Sequence, residues 1–228
     1  MNSRIKQGII DLALKSDKEI CGFIYNDSGL AKLFECENIA TDKENTFEIS
    51  AEDYIKCFNL GKIYGIYHSH VNQVSDFSIH DKELSEEMGI PIYVFSIKDN
   101  LFNLFIPNDL DISDYVGRTF CWGFDDCYGL VKDFYRKEYR IILSDYERDE
   151  NFRNSDFDIV GELNKNDFKK VDSPEKGDII LFKGVKGAPK HLAIYMGEGK
   201  ILHHGYKKLS CIKELGESAL NIEGVYRK

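Results

Sequence analysis

Between Ile106 and Arg118 the hydrophobic periodicity of the chain stops: Pro107, Asn108 and a set of aspartates separate an alternation of strand-like and helix-like runs from a new aromatic-rich block. Such a break in a chain of 228 residues leaves two stretches, each long enough to bury a core of its own. We place the boundary near Asp111, giving domains 1–110 and 111–228. With 43% hydrophobic and 30% charged residues, the chain should fold and is too apolar to be disordered.

Before the break, Ile5, Ile9, Leu12 and Ala13 have helical spacing and predict an opening amphipathic helix over Ile5–Leu14. Strand-like runs follow at Glu19–Tyr25, Leu30–Cys36, Thr46–Ile49, Ile63–His68 and Ile92–Ile97, with helices expected over Ala51–Asn59 and Ser78–Met88. Alternating strands and helices suggest an α/β layer structure. After the break, Leu130, Val131, Phe134 and Tyr135 make a helical stripe over Cys127–Tyr139. Strands are expected at Asp178–Phe182, Leu192–Met196, Lys200–His203 and Gly224–Tyr226, so a helix followed by an antiparallel sheet makes this half α+β.

His68 and His70 close the apolar run that starts at Ile63, and two residues of an extended chain spaced by two point to the same side. They can share one metal, although the same spacing also occurs at ordinary exposed strand ends. Asp81 falls on the first turn of the following helix, where its carboxylate could swing back towards the strand end. Two imidazoles and a carboxylate are a donor set that suits catalytic zinc. The order His68-Ser69-His70, then Ser78, then Asp81, with Glu19-Ile20-Cys21-Gly22 upstream, resembles the JAMM (MPN+) metallopeptidases, whose domain is cytidine-deaminase-like. That resemblance implies that His68, His70 and Asp81 bind Zn2+, that Glu19 is the proton acceptor, and that Ser78 helps hold the oxyanion. His80 has no such role and is expected on a solvated helix face.

In the second half Cys127 opens its helix, where free N–H groups and the helix dipole favour a thiolate, although a lone cysteine is more often a buried structural thiol. His191 begins one strand and His203 ends the next, so an antiparallel pairing could bring them together as a base and its orienting group. Asp126-Cys127-Tyr128-Gly129-Leu130-Val131, Gly177-Asp178 and His191-Leu192-Ala193-Ile194-Tyr195-Met196-Gly197 are similar to the nucleophile helix and core strands of the NlpC-type papain-like cysteine peptidases. The resemblance implies Cys127 as nucleophile, His191 as base and His203 as orienter. Tyr128 stands where the cell-wall members usually carry serine.

A JAMM half followed by an NlpC-type half resembles the tail tip assembly protein K family of long-tailed phages. This implies a peptidase whose cysteine head cuts peptidoglycan stem peptides and whose zinc head processes a neighbouring tail-tip protein. It further implies a place in the host cytoplasm during assembly and at the virion tail tip. The alternative is a structural tail-tip component that keeps its sites for folding. A formal charge of −9 disfavours nucleic acid as a partner. No apolar run long enough for a membrane span occurs, and Met1–Ile10 lacks the apolar core of a signal peptide. The six cysteines contain no C-x-x-C pair and are expected to be thiols.

Overall fold

The structure, a computed structural model, describes residues 3–148, 150, 157–184 and 191–228. It divides into two compact units, one ending at Asp111 and the other starting at Ile112.

The first unit opens with helix α1 (Ser3–Ala13), whose Ile5, Ile9 and Ala13, spaced by four, are all buried. It continues through β1 (Cys21–Asp27), β2 (Leu30–Cys36), α2 (Ala51–Leu60), β3 (Ile63–His70), α3 (Ile79–Met88), β4 (Ile92–Ser96) and β5 (Phe102–Phe105). The five strands form one sheet in the order β2-β1-β3-β4-β5. Only β3 and β4 pair in parallel; the other neighbours are antiparallel. The central strand β3 is buried from Tyr64 to His70, which is why it reads as a continuous run rather than an alternation. Its last residues, His68 and His70, lie opposite Val94 and Ser96 of β4.

One expected strand does not form. Residues 46–49 make no ladder: the buried Asn38 side chain takes two of their backbone groups, its amide donating to Thr46 O at 3.0 Å and its carbonyl accepting from Glu48 N at 3.2 Å, and one backbone bond, Ile39 N to Glu48 O at 3.0 Å, completes the contact. The extended segment thereby carries Phe47 onto the ring of His68, with centroids 4.3 Å apart.

The second unit consists of α4 (Cys127–Tyr139), α5 (Ile159–Lys165), β6 (Lys169–Val171), β7 (Ile179–Phe182), β8 (His191–Gly197), β9 (Lys200–His203), β10 (Cys211–Glu214) and β11 (Ile222–Arg227). Its six strands pair antiparallel throughout, in the order β10-β9-β8-β7-β11-β6. This is the α+β arrangement that the helix-then-strands pattern predicts. Alternation along the strands separates two cores. Ile179, Leu181, Leu192, Ile194 and Leu202 face Leu130, Val131 and Phe134 of α4, while Ile180, Phe182, Ala193, Ile201 and Val225 pack on the other side. Each of the three α4 side chains gains about 2 kcal/mol from its burial. The helix is thus held with its N-terminus over the sheet. Its start is also held sterically: a Cβ on Gly129 would collide with the Phe124 carbonyl, so only glycine allows this approach. Among the described residues no helix is long and apolar enough to cross a membrane.

Candidate active sites

In the first unit, β3 delivers both histidines to one side, and Ser69 between them points to the other, where its hydroxyl accepts from Ile20 N at 3.0 Å. That bond, with Ser69 N donating to Ile20 O at 3.1 Å, holds the segment before β1 against the end of β3 and so sets Glu19 beside His68. The Glu19 Oε2 lies 3.7 Å from His68 Nδ1. On the far side, Asp81 Oδ1 is 3.0 Å from His68 Nε2 and Oδ2 is 3.8 Å from His70 Nε2. Asp81 is aimed by its own helix start. Ser78 is the N-cap of α3; its hydroxyl accepts from Asp81 N at 3.1 Å, while Asp81 Oδ2 accepts from Ser78 N at 2.7 Å, a reciprocal capping box.

The structure therefore brings together Glu19, His68, His70 and Asp81, all nearly fully buried. Among the described residues Glu19, His68 and His70 could together hold a metal ion, since a donor atom of each lies within 4.8 Å of the others. This group includes the residue read from the sequence as the base and omits Asp81, read as a ligand; yet Asp81 makes the closer approach to the histidine Nε2 atoms. Both carboxylates border the same imidazole pair.

Electrostatics and hydrogen bonding fit a cation here. His70 Nδ1 sits 2.7 Å from Val74 O, which fixes its proton there and leaves the Nε2 lone pair facing the cluster, as a metal-binding imidazole requires. Glu19 Oε1 and both ring nitrogens of His68 are buried without a well-aligned hydrogen bond, three of the four such side-chain atoms among the described residues, although Asp81 Oδ1 lies close to His68 Nε2. Each would cost about 1–3 kcal/mol if nothing else satisfied it. One ion can take only one of the two His68 nitrogens, and the Nε2 side, where His70 Nε2 and Asp81 also lie, offers mixed imidazole and carboxylate donors that suit zinc. Burial alone would push the His68 pKa down, but the Asp81 and Glu19 carboxylates outweigh it and the pKa is raised. Burial works in the opposite sense on Asp81, and its contacts with His68 and Ser78 still bring it down to about 2. The cluster's charges are thus mutually dependent. His80 is exposed and packs against Phe47, the ring that stacks on His68.

Because Ser78 caps α3 and aims Asp81, Ser78→Ala is expected to cost about 1 kcal/mol of stability in this unit. Chemical denaturation of the full chain, followed by a probe in the first unit, measures it; a loss below the error of the fit would remove the capping role.

In the second unit Cys127 is half-buried at the first position of α4. The backbone N–H groups of Leu192 and Tyr128 point at its sulfur, so the nucleophile candidate lies against the residue that follows His191. His191 Nε2 is 3.0 Å from His203 Nδ1, with the two rings edge-on. Phe182, the cross-strand neighbour of His191, stacks on its ring at 5.9 Å and restricts its rotation. His204 points away from this group: its Nε2 donates to Lys208 O at 3.1 Å and its ring meets Phe120 edge-on.

The thiolate expected at a helix N-terminus does not follow. Asp126 is the N-cap, and its Oδ1 accepts the N–H groups of Tyr128 and Gly129 at 3.1 and 2.8 Å. Two first-turn N–H groups are thus shared with a carboxylate whose own charge opposes a thiolate, and the N–H groups of Leu192 and Tyr128 at the sulfur offset this only in part. Burial, reinforced by Asp126, pushes Cys127 up to about 11. Burial and the neighbouring His203 push His191 down to about 3. The resting pair near neutral pH is a thiol beside a neutral imidazole.

Sequence reasoning missed Arg148, which lies in an acidic run that reads as solvated surface. It is fully buried, with Nε on Asp126 Oδ2 at 2.7 Å, Nη1 on Asp145 Oδ1 at 2.8 Å, and its guanidinium 5.0 and 4.6 Å from the rings of Tyr128 and Tyr146, which pack on each other. Tyr128 is itself buried and donates to Ser144 O at 2.7 Å. It serves the wall behind the helix start.

Residues 117–221 match the NlpC/P60 family. The matched span contains Cys127, His191 and His203. Across both units the chain is 28% identical over 206 residues to tail tip assembly protein K of Escherichia phage N15, covering 87% of this chain and 82% of that protein. It is 27% identical over 165 residues to tail tip assembly protein K of Escherichia phage lambda, covering 71% and 79% respectively. Among solved structures, the NlpC/p60 domain of the peptidoglycan hydrolase SagA overlaps 50% of this chain and 90% of its own at 18% identity, with a TM-score of 0.36, too loose to assign anything. The chain thus carries an NlpC/P60-type domain together with a buried histidine–carboxylate cluster in its other unit. It is a hydrolase-like protein, similar over most of its length to phage tail tip assembly proteins.

Proposed function

We propose that the chain is a phage tail-tip peptidase with two heads: an NlpC-type cysteine endopeptidase that cuts peptidoglycan stem peptides, and a JAMM-type zinc peptidase that acts on a neighbouring tail protein. The observation that carries the first head is the His191–His203 contact at 3.0 Å beside a helix that opens with Cys127, inside the span that matches NlpC/P60. Since Cys127 rests as a thiol, its proton must pass to His191 Nδ1 as the sulfur attacks the scissile carbonyl. The Cys127 backbone N–H receives the developing oxyanion. His191 then returns the proton to the leaving amine, and water, deprotonated by the same imidazole, releases the acyl group from sulfur. His203 orients His191 through Nε2.

In the other head, His68, His70 and Asp81 would hold the zinc. When bound, the metal supplies a Lewis acid that polarises a carbonyl and acidifies water. Glu19, whose Oε1 has no hydrogen bond, is placed to take up a proton beside the histidine pair. Ser78 caps α3 through an acceptor lone pair, so its O–H remains able to donate to an oxyanion. The similarity to tail tip assembly proteins supports action during assembly in the host cytoplasm and at the virion tail tip.

Full-length protein incubated with Gram-negative and Gram-positive peptidoglycan should release fragments cut within the stem peptide, identified by mass spectrometry, and Cys127→Ala should release none. Absence of fragments from either wall with the wild-type protein would move the cysteine head to a protein substrate or leave a structural role. For the zinc head, a truncated tail protein should be present in virions made with intact His68 and absent in His68→Ala virions.

A further inference from the structure

The contacts of His203 do not end at His191. Strands β9 and β10 pair antiparallel with Cys211 directly opposite His203, and Cys211 Sγ lies 3.6 Å from His203 Nε2. His203 is thus gripped on both nitrogens, by His191 through Nδ1 and by Cys211 through Nε2. We propose that Cys211 is a positioning residue of the cysteine-peptidase site: its sulfur accepts the Nε2–H of His203 and thereby holds His191 in the tautomer that can take the proton of Cys127.

This inference rests on the cysteine-peptidase reading above, and proton counting leads to it. Burial pushes His203 down to about 4 and His191 down to about 3, so near neutral pH each ring carries one N–H. The base needs its lone pair on Nδ1, the nitrogen left for Cys127, so the proton of His191 must sit on Nε2. It then donates to His203 Nδ1, which can accept only if the single proton of His203 is on Nε2. The atom at the end of that N–H is Cys211 Sγ. Were Cys211 the donor instead, every bond in the row would reverse. His203 Nδ1 would carry the proton, and His191 would face Cys127 with an N–H that cannot accept. The direction of one thiol contact thus decides whether the base is usable.

The test uses full-length protein with 15N-labelled histidine. Long-range proton–nitrogen spectra should show His191 and His203 each protonated at Nε2 in the wild type, and a mixture at both in Cys211→Ala. Alkylation of Cys127 by iodoacetamide, followed by peptide mapping at fixed pH, should slow about tenfold in Cys211→Ala and stay within about threefold of wild type in Cys211→Ser, whose hydroxyl can also accept. A wild-type spectrum with the His203 proton on Nδ1 overturns the proposal without any variant. So does a Cys211→Ala protein with wild-type tautomers and alkylation rate. His191→Ala separates the two levels: if it leaves Cys127 alkylation unchanged, the cysteine-peptidase reading falls; if it slows alkylation while Cys211→Ala does not, only the role of Cys211 falls.

Discussion

Arg148→Met is expected to destabilise the second unit by about 3–5 kcal/mol, because it leaves the Asp126 carboxylate buried without its counter-charge. In the native unit that carboxylate is saturated. Oδ1 accepts from Tyr128 N and Gly129 N, while Oδ2 accepts from Gly123 N and the Arg148 guanidinium. Burial disfavours the charge on Arg148, but Asp126 and Asp145 more than restore it and raise its pKa. Methionine can pack beside the Tyr128 and Tyr146 rings but returns no charge. A loss of this size should lower the melting temperature of the unit by roughly 15 °C. Adding Asp126→Asn should recover part of the loss, because the two residues are in contact and their effects are not additive. A single variant melting within a few degrees of wild type would show that solvent or another cation satisfies Asp126, and the pair would lose its claim to hold the Cys127 turn.

Loss of zinc is the second large effect. Full-length protein loaded with zinc and desalted should retain about one ion per chain by elemental analysis, while His70→Ala and Asp81→Asn should weaken binding by about 100-fold or more. Glu19→Gln should keep the ion and lose activity, which separates a proton acceptor from a ligand although the Glu19 carboxylate lies within reach of both roles. At zinc a thousandfold above its dissociation constant, the bound ion should add about 4 kcal/mol to the stability of the first unit, and a chelator should remove that gain. A wild-type protein that retains no zinc, or a His70→Ala protein that retains it fully, would remove the metal reading.

Much of this was legible in the sequence, for local reasons. The parity of His68 and His70 on an extended chain, the capping residue Ser78 three positions before Asp81, and the apolar stripe behind Cys127 are short-range patterns, and the side chains stand where those patterns put them. What was not legible depends on long-range contacts. Residues 46–49 have strand propensity, but Asn38 takes two of their backbone groups from outside. The short strand β5 and the helix α5 have too few residues for a clear period. Arg148 reads as one solvated charge among many until its partner 22 residues away is known. The state of Cys127 could not be read from its position at a helix start alone, because burial and the charge of the capping carboxylate oppose the thiolate that the start would favour.

The hairpin between β8 and β9 turns through Gly197 and Gly199, both with positive φ of 88° and 72°. Its length sets the parity with which two consecutive histidines are presented. As built, His203 stands opposite Ala193 and Cys211, and His204 lies on the reverse side of the chain. A one-residue change in that turn would reverse the parity, turning His203 to the back of the strand and bringing His204 to the face that His203 now occupies. Chemical identity at this position is thus duplicated in the sequence, while orientation is encoded once, in a two-glycine turn remote from the reacting atoms. Drift in that turn, rather than substitution of either histidine, is the quieter way for such a site to be lost.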